Sequence, residues 1–152
     1  MILIAHRGNT FGPNPKMENS PDYILDALER GYDVEIDVWY SSYSKEWYLG
    51  HNAAQYKVEE SFLKNNSVWC HAKTVETFLQ LLDIGAHTFF IDKDYATLTS
   101  KRYIWLSPTH GEIISGTICV MPEDARWKDA NKDQLRECQG ICSDFVENFR
   151  DL

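Results

Sequence analysis

The segment Asp33-Val34-Glu35-Ile36-Asp37-Val38-Trp39 alternates without a break, and it constrains the fold more than any other stretch of the chain. Strand geometry puts Val34, Ile36 and Val38 on one face and Glu35, Asp37 and Trp39 on the other. An ordinary half-buried strand sends its acids to water. Here a tryptophan shares the acidic face, so both faces are packed, as in a sheet covered on two sides. Acids on a packed face must sit near a strand end, where something binds them.

Other short apolar runs repeat this theme. Ile2-Leu3-Ile4-Ala5, Val68-Trp69-Cys70-His71, Thr88 to Ile91, Tyr103 to Leu106, Thr117 to Met121 and Gly140-Ile141-Cys142 read as strands. Trp47 to His51 reads as a shorter strand returning from a turn. Ser20-Pro21-Asp22 starts a helix with Ser20 as N-cap, and Gly31 ends it. A second helix spans Val75 to Ile84, and a third lies near Lys132 to Cys138. Strands alternating with helices predict βαβ units and a parallel sheet. Between Thr97 and Met121 there is no room for two crossover helices.

The chain has 152 residues, within the roughly 100–200 of one domain, and no linker or repeat divides it. A full (β/α)₈ barrel takes about 250 residues. The expected fold is therefore α/β, a parallel TIM-type barrel, reduced or incomplete, with several crossover helices missing. Ala, Val, Ile, Leu, Met, Phe, Trp, Tyr and Cys together make up 43% of the chain, enough for a core. No apolar run approaches the ~18 residues of a membrane span. Fifteen Lys and Arg against 23 Asp and Glu give a net charge of −8, a poor match to nucleic acid or an anionic membrane. Cys70, Cys119, Cys138 and Cys142 form no C-x-x-C pair, so buried, reduced thiols are expected. The apolar run before His6 is too short for a signal-peptide core, and a cytoplasmic protein is expected. Absent helices would bare apolar sheet surface, for which a homo-oligomer is the expected cover.

The chemistry-bearing residues follow strand ends: His6-Arg7-Gly8, Glu35-x-Asp37, Gly50-His51 and His71-x-Lys73. Parallel α/β folds build sites there, because the loops converge. Two carboxylates this close repel each other unless a cation separates them, and hard divalent ions prefer oxygen ligands. Histidine titrates near neutrality, so His6 and His51 suit an acid and base pair. Burial is expected to raise the pKa of at least one carboxylate in the metal-free site. Ser143-Asp144 reads as turn chemistry, with Glu123 an outside candidate for a substrate contact.

His6-Arg7-Gly8, Glu18-Asn19-Ser20, Glu35-Ile36-Asp37-Val38 and Gly50-His51 together resemble the signature of the glycerophosphodiester phosphodiesterases. That family belongs to the phospholipase-C-like phosphodiesterase superfamily of TIM-barrel enzymes. The match covers residues 2 to 52 in order and spacing; residues 68 to 84 and the stretch ending Ser143-Asp144 match more weakly. The resemblance implies that His6 and His51 are the acid/base pair, with Arg7 and Glu18 at the phosphate. It implies that Glu35 and Asp37 bind a divalent metal, Mg²⁺ or Ca²⁺ first. It also implies a small glycerol-phosphate or sugar-phosphate diester as substrate, in lipid metabolism.

Two positions depart from the family's pattern. Its third strand carries a carboxylate-x-Lys pair in which the acid is a ligand; here it is His71-Ala72-Lys73. Imidazole removes one negative charge and softens the site towards Mn²⁺ or Zn²⁺. Lys73 is kept as a phosphate contact, and Asp92, after the next strand, is placed to restore the lost carboxylate. Gly-His is usually followed by Asp, and Asn52 stands here instead. Three functions compete: a metal-dependent phosphodiesterase, a non-catalytic phosphate- or metal-binding descendant, and a different metal-dependent hydrolase or lyase that uses His71.

Overall fold

In the computed structural model, which describes residues 1–128 and 130–152, every expected apolar run becomes a strand. The order is β1 (Ile2–His6), α1 (Pro21–Glu29), β2 (Asp33–Ser41), β3 (Glu46–Leu49), β4 (Tyr56–Val58), α2 (Glu60–Leu63) and β5 (Val68–Ala72). Then come α3 (Val75–Asp83), β6 (Thr88–Phe89), β7 (Ala96–Leu98), β8 (Ile104–Leu106), β9 (Ile118–Val120), α4 (Lys132–Arg136) and β10 (Gly140–Ser143). The fold is mixed α/β around one ten-stranded sheet. Seven strands form its parallel core, in the order β6-β5-β2-β1-β10-β9-β8. The hairpin of β3 and β4 adds antiparallel strands beside β2, and β7 pairs antiparallel with β8. The short elements β4, β7 and α2 lack the apolar periodicity that marks the longer ones.

The sheet is strongly curled. Five strand steps separate β5 from β8, about 24 Å in a flat sheet. Yet Trp69 on β5 and Trp105 on β8 have ring centroids 6.0 Å apart. The β6 end of the core meets β7 and the turn after it through isolated bonds rather than a ladder: Ser100 N donates to Thr88 O (2.8 Å) and Thr97 Oγ1 to Phe90 O (3.0 Å). Curling makes the inner face a second core, in which Ile4, Trp69, Phe89, Trp105, Ile118, Val120 and Cys142 pack together.

The outer face holds the other cores. Val34, Ile36 and Val38, all 0% exposed, lie in one cluster with Ile24 and Ala27 of α1 and Leu81 of α3. Each such side chain contributes about 1.5–3 kcal/mol on leaving water. Leu106, Cys119 and Ile141 pack under Leu135 and Trp127. Ser20 occupies the N-cap position of α1 as expected, but its hydroxyl makes no capping bond; Pro21 supplies the preset φ instead. Among the described residues, helices cross over after β1, β5 and β9, and the connection from β2 to β5 runs through the β3–β4 hairpin and the short α2. From β6 to β9 the chain uses β7 and a single 3-10 turn, Pro108–His110, so Leu98 and Ile104 stay exposed (61% and 45%). No helix among the described residues is long and apolar enough to cross a membrane.

Candidate functional site

Parallel strands carry their carboxyl ends to one rim, and the inner-face residues there are polar. His6 ends β1, Glu35 and Asp37 lie on β2, His71 lies on β5 and Asp144 follows β10. Register brings them level: His6 stands beside Glu35, and Asp37 beside His71. Glu35 and Asp37 are buried at 2% and 0% exposure. The acidic face of the alternating strand therefore ends in a site.

Asp37 is its most engaged group. Its Oδ1 accepts from Lys73 Nζ (3.1 Å) and faces His71 Nδ1 (3.3 Å). Its Oδ2 accepts from Asn19 Nδ2 (2.9 Å) and lies 3.0 Å from Arg7 Nε, an ionic contact without hydrogen-bond alignment. Asn19 Oδ1 also accepts from the Asp37 amide (2.9 Å), continuing the β2 ladder where β1 has ended. Burial opposes ionisation of Asp37, but His71, Arg7 and Lys73 outweigh it and hold the carboxyl well below its usual range. The expected upward shift is overturned at this carboxylate. The cations present in the chain separate the acids before any metal is considered.

His71 is half of that answer. Its Nε2 donates to Ile91 O (3.4 Å), and its Nδ1 faces Glu35 Oε1 (3.6 Å) and Asp37 Oδ1 (3.3 Å). Burial works against its proton; the hydrogen bonds and charges of Asp37 and Glu35 prevail and raise its pKa to about 9. His6 is held similarly. A carboxylate only accepts, so Nδ1 of His6 donates to Asp144 Oδ1 (2.8 Å), while Nε2 lies 3.8 Å from Glu35 Oε2. Burial again lowers the pKa, and Asp144 and Glu35 reverse the shift.

An outer network fixes these groups. Asn9 Nδ2 donates to Asp144 Oδ1 (2.8 Å) and Glu18 Oε1 (3.0 Å), and Arg7 binds Glu18 Oε2 (3.2 Å). Glu123 accepts from Ser143 Oγ (2.9 Å) and the Asp144 amide (3.1 Å). The turn reading of Asp144 misses its bond to His6, and Glu123 braces Asp144. Asn9, Asn19 and Asp144 were the residues that sequence reasoning passed over. The signal was present for Asn19, which sits inside the Glu18-Asn19-Ser20 motif; nothing in sequence pairs His6 with a residue 138 positions away.

Above this floor opens a cleft of about 530 Å³. His6, Arg7, Glu18, Asn19, His51, Met121 and Asp144 line it. Arg7 (φ 53°), Asn19 (φ 63°) and Met121 (φ 51°) hold left-handed backbone, which costs energy outside glycine and clusters at functional sites. The His51 loop is tied to β2, because Trp39 Nε1 donates to Gly50 O (2.6 Å) and the Gly50 amide to Asp37 O (3.1 Å). A Cβ on Gly50 (φ 148°) would meet Ala53 O at 2.1 Å, so only glycine makes this turn. His51 itself is largely exposed; the partial loss of water around its ring and the Arg7 charge lower its pKa. It also borders a second cleft, about 320 Å³, shared with His71, Lys73, Phe90 and Asp92.

Glu35, Asp37 and His71 offer ligand atoms within 4.8 Å of one another. Asp92 is exposed in the neighbouring cleft and is not part of that group. The donor set suits a divalent ion. Glu35 Oε2 is buried without a hydrogen-bond partner, an orphaned acceptor that a cation would satisfy. No protein-family model matches the chain, and neither curated proteins nor solved structures provide a match.

Proposed function

We propose that the chain is a metal-dependent phosphodiester hydrolase acting on a small glycerol-phosphate or sugar-phosphate diester. One observation carries this reading: two histidines of opposite proton affinity line one cleft, over a buried carboxylate pair and beside Arg7. Binding alone needs no such pair. The motif resemblance to the glycerophosphodiester phosphodiesterases supports the same reading, and the curled parallel core supports a reduced (β/α) barrel.

Charge balance supports a divalent ion. Among the described residues, Glu18, Glu35, Asp37 and Asp144 face two permanent cations, Arg7 and Lys73. Protons on His6 and His71 close the gap; a divalent cation in place of the His71 proton would leave His6 protonated and one positive charge over to meet a phosphate oxygen. Glu35, His71 and one oxygen of Asp37 would hold it, Mg²⁺ or Ca²⁺ by the carboxylates, Mn²⁺ or Zn²⁺ by the imidazole. Bound there, the ion would offset charge on the phosphoryl oxygens as the ester bond breaks.

The chain's own groups divide the remaining work. The Arg7 guanidinium offers a planar fork to phosphate oxygens. His51, neutral at pH 7, accepts the proton of the attacking hydroxyl. His6, kept protonated by Asp144, returns a proton to the leaving oxygen. Lys73 neutralises Asp37 and borders the cleft beside His71.

The test is a metal-by-substrate activity screen on wild type and His6→Ala. Turnover that depends on added metal and falls at least ~100-fold in the variant is expected. Unchanged turnover removes His6 from the chemistry. A second reading, a non-catalytic phosphate binder, is favoured by the exposure of His51 and by Asn52 where a carboxylate would support it. That reading expects diester binding by calorimetry with no turnover under any metal. Exposed Leu98 and Ile104 support self-association of this protein, read by sedimentation.

A further inference from the structure

α3 is apolar on two sides. One side, with Leu81 fully buried, packs over β2, β5 and β6. Val75, Leu79 and Leu82, spaced i, i+4 and i+7, form a second stripe on the other side, exposed at 58%, 58% and 42%. An ordinary surface helix is polar there. Glu76 and Asp83, seven residues apart and both exposed, line one edge of the stripe.

The second uncovered surface is the β7–β8 end of the sheet. Trp105 faces the inner core and Leu106 an outer one, so Ile104 points outward with Leu106. Leu98 is the cross-strand neighbour of Ile104 and shares that face. Between β8 and β9 the chain makes only its 3-10 turn, and no crossover helix covers the pair among the described residues. The turn after Leu98 carries Lys101 and Arg102, both exposed. Among the described residues, Glu76, Asp83, Lys101 and Arg102 are in no ion pair. β7 lies next to β6, which α3 covers, so the stripe and the bare pair occupy adjoining sectors of one side of the molecule.

We propose that the chain forms a two-fold dimer in which α3 of each copy docks on the β7–β8 face of the other. The docked helix supplies what the fold omits, an apolar helical face over two strands without a crossover helix. Charge selects this pairing. Stripe on stripe would gather four carboxylates around one contact, and sheet face on sheet face would gather four cations. Stripe on sheet face instead sets the acidic edge of one copy against the basic turn of the other. Because both surfaces lie on one side, two copies satisfy both contacts together, and the assembly closes instead of growing into a fibre. The proposal rests on the self-association drawn from Leu98 and Ile104, not on the diester chemistry.

The experiment is sedimentation velocity of the full chain at protomer concentrations of about 1–100 µM. Wild type should reach the mass of two chains, and added salt should weaken the dimer by screening the charged edges. Leu79→Ser and Ile104→Ser each spoil one side of both contacts and should weaken association at least ~10-fold. Their equimolar mixture should recover dimer, because one contact then joins an unaltered α3 to an unaltered β7–β8 face. No recovery, or one variant that dimerises like wild type, means that like surfaces pair; it overturns the proposal and leaves self-association standing. A wild type that stays monomeric overturns both. Both residues are exposed, so thermal unfolding of the variants should match wild type. If either fails to fold, Asp83→Lys and Arg102→Glu decide instead: each alone should weaken the dimer and the double variant should restore it. A double variant no tighter than the singles refutes the pairing.

Discussion

Two histidines at opposite ends of the sheet, His71 half-buried and His87 buried, show how one residue type takes opposite charge. His71 stacks on Phe89 (5.1 Å between centroids) at the carboxyl ends of the strands; His87 packs on Trp69 (4.0 Å) at the amino ends. Both are covered by aromatic rings, and burial pulls both pKa values down. Around His71 stand Glu35 and Asp37, and its pKa rises to about 9. Among the described residues the polar groups beside His87 are Thr99, whose hydroxyl lies 2.9 Å away, and the charge of Lys101, with the Tyr103 ring 5.7 Å off, and its pKa falls to about 4. Burial sets the default, and carboxylates alone reverse it. The rim is thus a charge-balanced site, and the opposite end is a neutral aromatic plug.

The largest break in that contrast comes from Asp37→Asn. Removing a fully buried carboxylate leaves Arg7 and Lys73 without their common partner, which costs about 3–5 kcal/mol. His71 should then titrate at least ~1 unit lower in an NMR titration, towards the behaviour of His87. A His71 titration unmoved by the change refutes the assignment of its proton to Asp37.

The pH dependence of stability separates the two ends next. His87 has a folded pKa of about 4 against 6.5 unfolded. The unfolded chain binds more protons between those values, so this group's stabilisation is present above pH 6.5 and lost as pH falls towards 4. The span amounts to about 3 kcal/mol. His71 has the opposite sign: with a folded pKa of about 9 against 6.5, its contribution is full below pH 6.5 and lost as pH rises through 9. Its size is also at most about 3 kcal/mol. Thermal unfolding across pH should flatten on the acid side in His87→Phe and on the alkaline side in His71→Phe. Identical profiles for the two variants would contradict the contrast.

Gly50→Ala sharpens the rim alone. The added Cβ collides with Ala53 O, so the loop must move His51, at about 1–3 kcal/mol of strain. Diester turnover should fall while the His87 titration stays in place. The smallest effect belongs to Lys101→Ala at the plug. Its charge lowers the His87 pKa, so the variant should raise that pKa by a fraction of a unit, with stability within about 0.5 kcal/mol.

The seven parallel strands were legible in the sequence because six contain short apolar runs and the seventh, residues 33 to 39, alternates with the period of a strand. The alternation of residues 33 to 39 marked Glu35 and Asp37 as buried acids, and both are. Gly31 marked a helix end, because positive φ is a local requirement that glycine alone meets cheaply, whereas Gly50, read as part of a strand, lies in the turn just past it. Other features were decided only by tertiary structure. β7 and β4 exist because a neighbouring strand offers them bonds, not because their three residues prefer extension. The pKa of a carboxylate depends on which cations fold against it, and Arg7 and Lys73 approach Asp37 from separate strands. The His6–Asp144 bond joins the end of the first parallel strand to the residue after the last, and only the strand order, which pairs β1 with β10, brings them together. Local pattern records what each segment needs, whereas electrostatics and pairing depend on distances that exist only once the chain has closed on itself.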